Sequence, residues 1–82
     1  MIDKILTTTE VAKLLTLSPN TIRKLFDAGE IGGFRIPNSK HRRIRMIDVF
    51  RFIRGNDYPV PERLKNDYGA YSARLNSSNS QP

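Results

Sequence analysis

Apolar residues recur at helical spacing in three places along the chain and alternate in a fourth. Val11, Leu14 and Leu15 form one stripe, and Ile22, Leu25 and Phe26 form a second. A third stripe combines Ile47 or Val49 with Phe50 and Ile53. Between the second and third, Phe34 and Ile36 alternate with Arg35, as in a half-buried strand. Arg42 and Ile44 then share one side of a second strand, and His41, Arg43 and Arg45 share the other. The pattern predicts helix, turn, helix, β-hairpin, helix. Farther on, Val60, Leu64, Tyr68, Tyr71 and Leu75 follow at intervals of four, four, three and four, an amphipathic helical pattern weakened by Gly69.

Start and stop signals place the boundaries. Thr7 with Glu10 has the spacing of a capping box, and Leu6 with Val11 that of a hydrophobic staple, so the first helix runs to about Leu15. The same grammar repeats at once. Ser18 is an N-cap, Pro19 takes the first helical position, where its missing N–H costs nothing, and Leu17 with Ile22 is a second staple. Gly29 is placed to end that helix. The run Pro37-Asn38-Ser39-Lys40 reads as the turn of the hairpin, Asp48 suits the positive end of the third helix, and Gly55-Asn56-Asp57 stops it. Three segments follow: a domain over residues 5–56, a linker with an amphipathic helix over 57–75, and a polar tail over 76–82 expected to be disordered.

Composition narrows the function. At 82 residues without cysteine the chain is one small domain that no disulfide or thiolate metal site can staple. It has neither a run long and apolar enough to span a membrane nor the layout of a signal peptide, so a cytoplasmic, nucleoid-associated protein is expected. The net charge is +6, and the excess is concentrated: residues 1–54 hold eleven Lys and Arg against five acids, the remainder three against three. A charge gathered in one folded region favours a polyanion, because each neutralised phosphate releases counterions.

Enzyme chemistry finds little to use. There is one histidine, no glycine-rich phosphate loop and no carboxylate or histidine pair at metal-ligand spacing, so no catalysis, metal or cofactor is expected. His41, flanked by Lys40 and Arg42, suits a phosphate contact or simple exposure better than metal ligation. Asp27 and Glu30 could share a face of the second helix and are expected to keep its solvent side polar. With Ile22, Leu25 and Phe26 turned inward, that helix presents Asn20, Thr21, Arg23 and Lys24, side chains that hydrogen-bond base edges and phosphates.

The motifs Leu6-Thr7 through Leu15, Leu17-Ser18-Pro19-Asn20-Thr21-Ile22, Gly29-Glu30-Ile31, Phe34-Arg35-Ile36 and Arg42-Arg43-Ile44-Arg45 resemble the winged helix-turn-helix domain of the excisionase and MerR-like group, over about residues 5–61. The resemblance implies a mainly α fold with a small β-hairpin, three helices plus a wing, and a flexible C-terminal tail. It also implies a bacterial or phage protein that inserts its second helix in the major groove of double-stranded DNA. Ser18, Asn20, Thr21, Arg23 and Lys24 match the recognition surface. Arg35, Lys40, His41, Arg42, Arg43 and Arg45 match the wing, which would lie on the backbone or minor groove. Two departures stand out: Asn38 where the wing tip usually has glycine, and apolar Met46-Ile47 at the usually polar start of the third helix.

The leading reading is therefore a small transcriptional regulator or a recombination directionality factor like an excisionase, acting in several copies on DNA. The alternative is a protein-interaction adaptor that docks a partner, or a second copy, through Val60, Leu64, Tyr68, Tyr71 and Leu75, with DNA contact secondary. RNA binding through the hairpin is less favoured, since its exposed face lacks aromatics for base stacking.

Overall fold

The computed structural model describes residues 4–79. Its elements are β1 (Ile5–Thr7), α1 (Thr8–Leu15), α2 (Pro19–Asp27), β2 (Phe34–Arg35), β3 (Arg42–Arg45), α3 (Met46–Asn56), a 3₁₀ turn (Glu62–Leu64) and α4 (Lys65–Asn79). The expected helices and hairpin are present, and they form a winged helix-turn-helix. Two elements go beyond expectation. The residues just before α1 form a strand, and β1 joins the hairpin in an antiparallel sheet of order β1-β3-β2. The C-terminal stretch forms α4, which runs to Asn79, into the segment expected to be disordered; residues 80–82 of that segment lie outside the described residues.

Both helix starts follow the sequence grammar. Thr7 Oγ1 accepts the Glu10 backbone N–H at 3.1 Å while Glu10 Oε1 accepts that of Thr7 at 2.8 Å. Ser18 Oγ accepts the Thr21 backbone N–H at 3.1 Å, with Pro19 at the first helical position. Helix α2 ends in a Schellman arrangement: Gly29 (φ +76°) donates to Phe26 O and Glu30 to Leu25 O. The turn between α1 and α2 instead holds Thr16 at φ +59°, an unusual place for a β-branched residue.

The core is Leu6, Val11, Leu15, Ile22, Ile31, Ile44, Val49, Phe50 and Ile53, with Met46 buried among them. Apolar Met46 at the start of α3 is thus a core residue. Strand β3 lies at the sheet centre, with Ile44 opposite Leu6 of β1 and facing the core. The wing tip closes with Ser39 N–H donating to Ile36 O and Asn38 at φ +62°, which fits a type II turn with Pro37 at its first central position.

The faces of β2 are reversed from expectation. Phe34 pairs with Arg43 and lies on the outer face, 41% exposed, while Arg35 pairs with Arg42 on the side facing α2. The cause is Gly33 at φ +147°, where an added Cβ would collide with the Arg43 carbonyl and come within 2.9 Å of the Phe26 ring. With the backbone pressed so closely under α2, the inward position meets the face of the Phe26 ring and the carboxylate of Asp27, and an arginine suits both.

The stripe offered for partner docking is largely used by the domain itself. Leu64 and Tyr71 are buried in the core, and Val60, Tyr68 and Leu75 are half-buried against it. Phe50 of α3 meets Tyr68 edge-on at 5.7 Å between ring centroids and Tyr71 at 5.4 Å. Arg54 donates to Ser72 Oγ at 3.2 Å, and Tyr58 Oη donates to the Leu15 carbonyl at 2.5 Å, tying the linker to the end of α1. The amphipathic pattern is real, but the domain's own core covers much of its apolar face: Tyr68 and Tyr71 meet Phe50 of α3, and Val60 lies by Leu14 and Leu15 of α1.

Two glycines give opposite expectations. Gly33→Ala destabilises the fold by about 2 kcal/mol or more, through positive φ and the collision beneath α2. Gly69 is exposed in mid-helix with nothing near its added Cβ, so Gly69→Ala stabilises by about 0.5–1 kcal/mol. Thermal unfolding of the two variants measures both.

Candidate nucleic-acid interface

Helix α2 and the hairpin lie side by side and form one basic surface. On α2, Asn20 and Lys24 are exposed and Arg23 is half-exposed, and none of the three has a side-chain partner among the described residues. Ser18 and Thr21 differ. Their hydroxyls lie 2.8 Å apart in a mutual hydrogen bond, and Ser18 Oγ also caps the helix, so both hydroxyls already have partners within the turn. Among the described residues, the polar side chains of α2 without partners are therefore those of Asn20, Arg23 and Lys24, on its first turns, where the positive end of the helix dipole also faces out.

The six wing residues divide into two groups. Lys40 and His41 are exposed at the tip, without a side-chain partner among the described residues. Arg43 lies half-buried on the outer sheet face and donates to the Arg42 carbonyl at 2.9 Å. The other three are held by acids. Arg42 grips Asp27 with two bonds, Nε to Oδ1 at 3.1 Å and a terminal nitrogen to Oδ2 at 2.9 Å. Arg35 reaches the same Oδ1 at 2.9 Å. Both guanidinium carbons sit near the Phe26 ring, 5.5 Å and 5.9 Å from its centroid. Arg45 pairs with Asp48, its Nε 2.8 Å and a terminal nitrogen 3.1 Å from the two carboxylate oxygens.

Asp27 was expected only to keep the helix surface polar; it is instead the junction between helix and wing. A signal for this lies in the sequence. Asp27 is the last residue of α2, the end where the helix dipole disfavours an acid. An acid at that end, followed by a hairpin rich in arginine, asks for a cationic partner. Asp48 is likewise more than a favourable charge at a helix start. It is almost wholly buried, accepts the Arg45 backbone N–H at 3.2 Å, and leaves no room for a Cβ at Gly32, which would lie 2.6 Å from Oδ1.

Electrostatics follow these contacts. Hydrogen bonding from Arg42, with the charges of Arg42 and Arg35, holds the Asp27 carboxyl below its usual range. The backbone N–H of Thr7 does the same for Glu10, aided by the Thr7 hydroxyl and by Lys4 and Arg43. Asp48 raises Arg45 above the ordinary guanidinium value, chiefly by hydrogen bonding. Among the described residues no cluster of His, Cys, Asp or Glu could hold a metal ion, and no helix is long and apolar enough to cross a membrane.

A family model described as a helix-turn-helix domain matches residues 5–57, β1 through the end of α3. No curated protein and no solved structure matched the chain. The match covers more than half of the sequence, and the chain belongs to this excisionase-like family of helix-turn-helix DNA-binding domains.

Acid should loosen this surface in a defined direction. Asp27 and Glu10 bind protons less readily folded than unfolded. The stability that they contribute is complete above the ordinary carboxylate range, about pH 4, and is lost as pH falls through their depressed values. Asp27→Asn should therefore be less stable at neutral pH and lose less stability on acidification than the unaltered chain. Urea unfolding at a series of pH values from neutral downward measures both effects.

Proposed function

We propose that this member of the helix-turn-helix family is a sequence-specific double-stranded DNA-binding protein that reads the major groove with α2 and rests its wing on the adjacent backbone or minor groove. The observation that carries the reading is the pairing of Asn20, Arg23 and Lys24, on a capped helix and without side-chain partners among the described residues, with a basic wing fixed beside them. Arg23 is suited to the O6 and N7 acceptors of guanine, and Asn20 to N6 and N7 of adenine. The N-terminus of α2 and Lys24 suit flanking phosphates, and Lys40 and His41 at the wing tip suit the backbone beyond.

Within this reading the protein acts in bacteria or phage as a small transcriptional regulator or a recombination directionality factor. One such domain covers little DNA, so useful affinity comes from two or more copies on neighbouring sites. The adaptor reading loses its main support, because the stripe it relies on packs against the domain's own core, Tyr68 and Tyr71 on Phe50 of α3.

Arg23 and Lys40 should separate readout from positioning. Arg23→Ala is expected to relax base preference at one or two positions, costing about 1–3 kcal/mol on the preferred duplex and little on others. Lys40→Ala should weaken all duplexes alike and reduce the salt slope by about one ion. Selection from a randomised duplex pool, with binding titrations at several salt concentrations, measures both. Equal loss on every sequence with Arg23→Ala would sink the major-groove reading.

A further inference from the structure

Arg35 and Arg42 are directly opposed across the hairpin, on the side that faces α2. Two like charges at such a cross-strand pair repel, and left alone they would swing apart toward the nearest anion. Near bound DNA that anion is a phosphate. Asp27 prevents this. Its two carboxylate oxygens take three guanidinium hydrogen bonds, and the Phe26 ring lies within reach of both cations. The two arginines are not equally held. Arg42 is gripped through both oxygens with its side chain only 19% exposed, whereas Arg35 makes one bond and is 50% exposed.

We propose that Asp27 is a specificity-setting residue: it withholds Arg35 and Arg42 from the phosphates of any duplex, so that sequence-independent attraction stays weak and discrimination rests on α2. The inference depends on the DNA-binding reading above and adds to it a mechanism for suppressing non-specific binding. Counterion release is blind to sequence, so each guanidinium freed onto a phosphate raises affinity for every duplex and dilutes the preference for one. Withholding two of them raises the ratio of specific to non-specific binding without any new base contact. The carboxylate is held below its usual range, so the device is fully charged at neutral pH. It also sits where its effect is local, on the last residue of the helix that carries the reading side chains.

The test is a double-mutant cycle with Asp27→Asn, Arg35→Gln and the combined variant. Binding is measured on two duplexes of equal length, one selected from a random pool by the unaltered chain and one unrelated, across a salt series. Asp27→Asn should steepen the salt slope on the unrelated duplex by about 0.9–1.8, one to two additional phosphates. Affinity for that duplex should rise several-fold at low salt, and the ratio between the two duplexes should fall. Arg35→Gln alone should leave the slope unchanged, whereas added to Asp27→Asn it should remove part of the increment. Asp27→Glu should restore the parental slope. The clamp is wrong if Asp27→Asn leaves slope and ratio unaltered, or if Arg35→Gln alone lowers the slope as Lys40→Ala does. The second criterion decides even where Asp27→Asn folds poorly. If the unaltered chain binds no duplex, the DNA reading itself fails; if it binds and the cycle is additive, only the clamp fails.

Discussion

A single buried carboxylate, Asp48, fixes the relation of the wing to the helices. Strand β3 ends at Arg45 and α3 begins at Met46, with no residue between them to absorb an error in direction. Asp48 is 3% exposed, and a buried charge without partners would cost several kcal/mol. It is satisfied only while the Arg45 backbone N–H and guanidinium are both within reach, at 3.2, 2.8 and 3.1 Å. It also fits only because Gly32, at the end of the loop leaving α2, has no side chain. Strand end, helix start and loop are thus held at one point. The line of α3 across the sheet, and with it the placement of Val49, Phe50 and Ile53 under the helix pair, follows from that point.

The basic character of the domain is therefore more organised than its composition suggests. Three of the five Lys and Arg residues between Phe34 and Arg45 are tied to two acids, Asp27 and Asp48. One acid secures the base of the wing to α3, and the other secures its middle to α2. The wing needs both, because β2 is only two residues long and a ladder that short has little rigidity of its own. Net charge counts every cation alike; the two carboxylates decide which of them are tied into the fold.

Much of this was legible in the sequence. The caps at Thr7 and Ser18, the stop at Gly29 and the positive φ of Asn38 depend on residues within a few positions of each other, so the local pattern contains them. What escaped was non-local. Ile5–Thr7 gives no strand signal of its own, and β1 exists because β3 offers it an open edge. The inward turn of Arg35 could not follow from alternation, which ranks phenylalanine above arginine for burial. It follows from Gly33, Phe26 and Asp27 acting together across eight residues of chain. Likewise the stripe from Val60 to Leu75 announced an apolar face without saying which surface would cover it. Asn20, Arg23 and Lys24 were expected on the helix exterior and are exposed or half-exposed there, whereas Ser18 and Thr21 are occupied with each other in the cap.

The edge pairing of β1 has a consequence for how the chain reaches this structure. The hairpin strands β2 and β3 are near neighbours in sequence and can meet early, but β1 pairs with β3 from the far side of both helices. The segment from Thr8 to His41 is thereby closed into a loop, and its closing entropy is recovered only once α1 and α2 have docked and buried Leu6 against Ile44. The helix pair is therefore tied to the sheet through β1 and shares its core with Ile44 of β3. Full burial of Leu6 against Ile44 thus requires strand, helix pair and hairpin together, and a change that slows docking of the helices is expected to delay completion of the sheet.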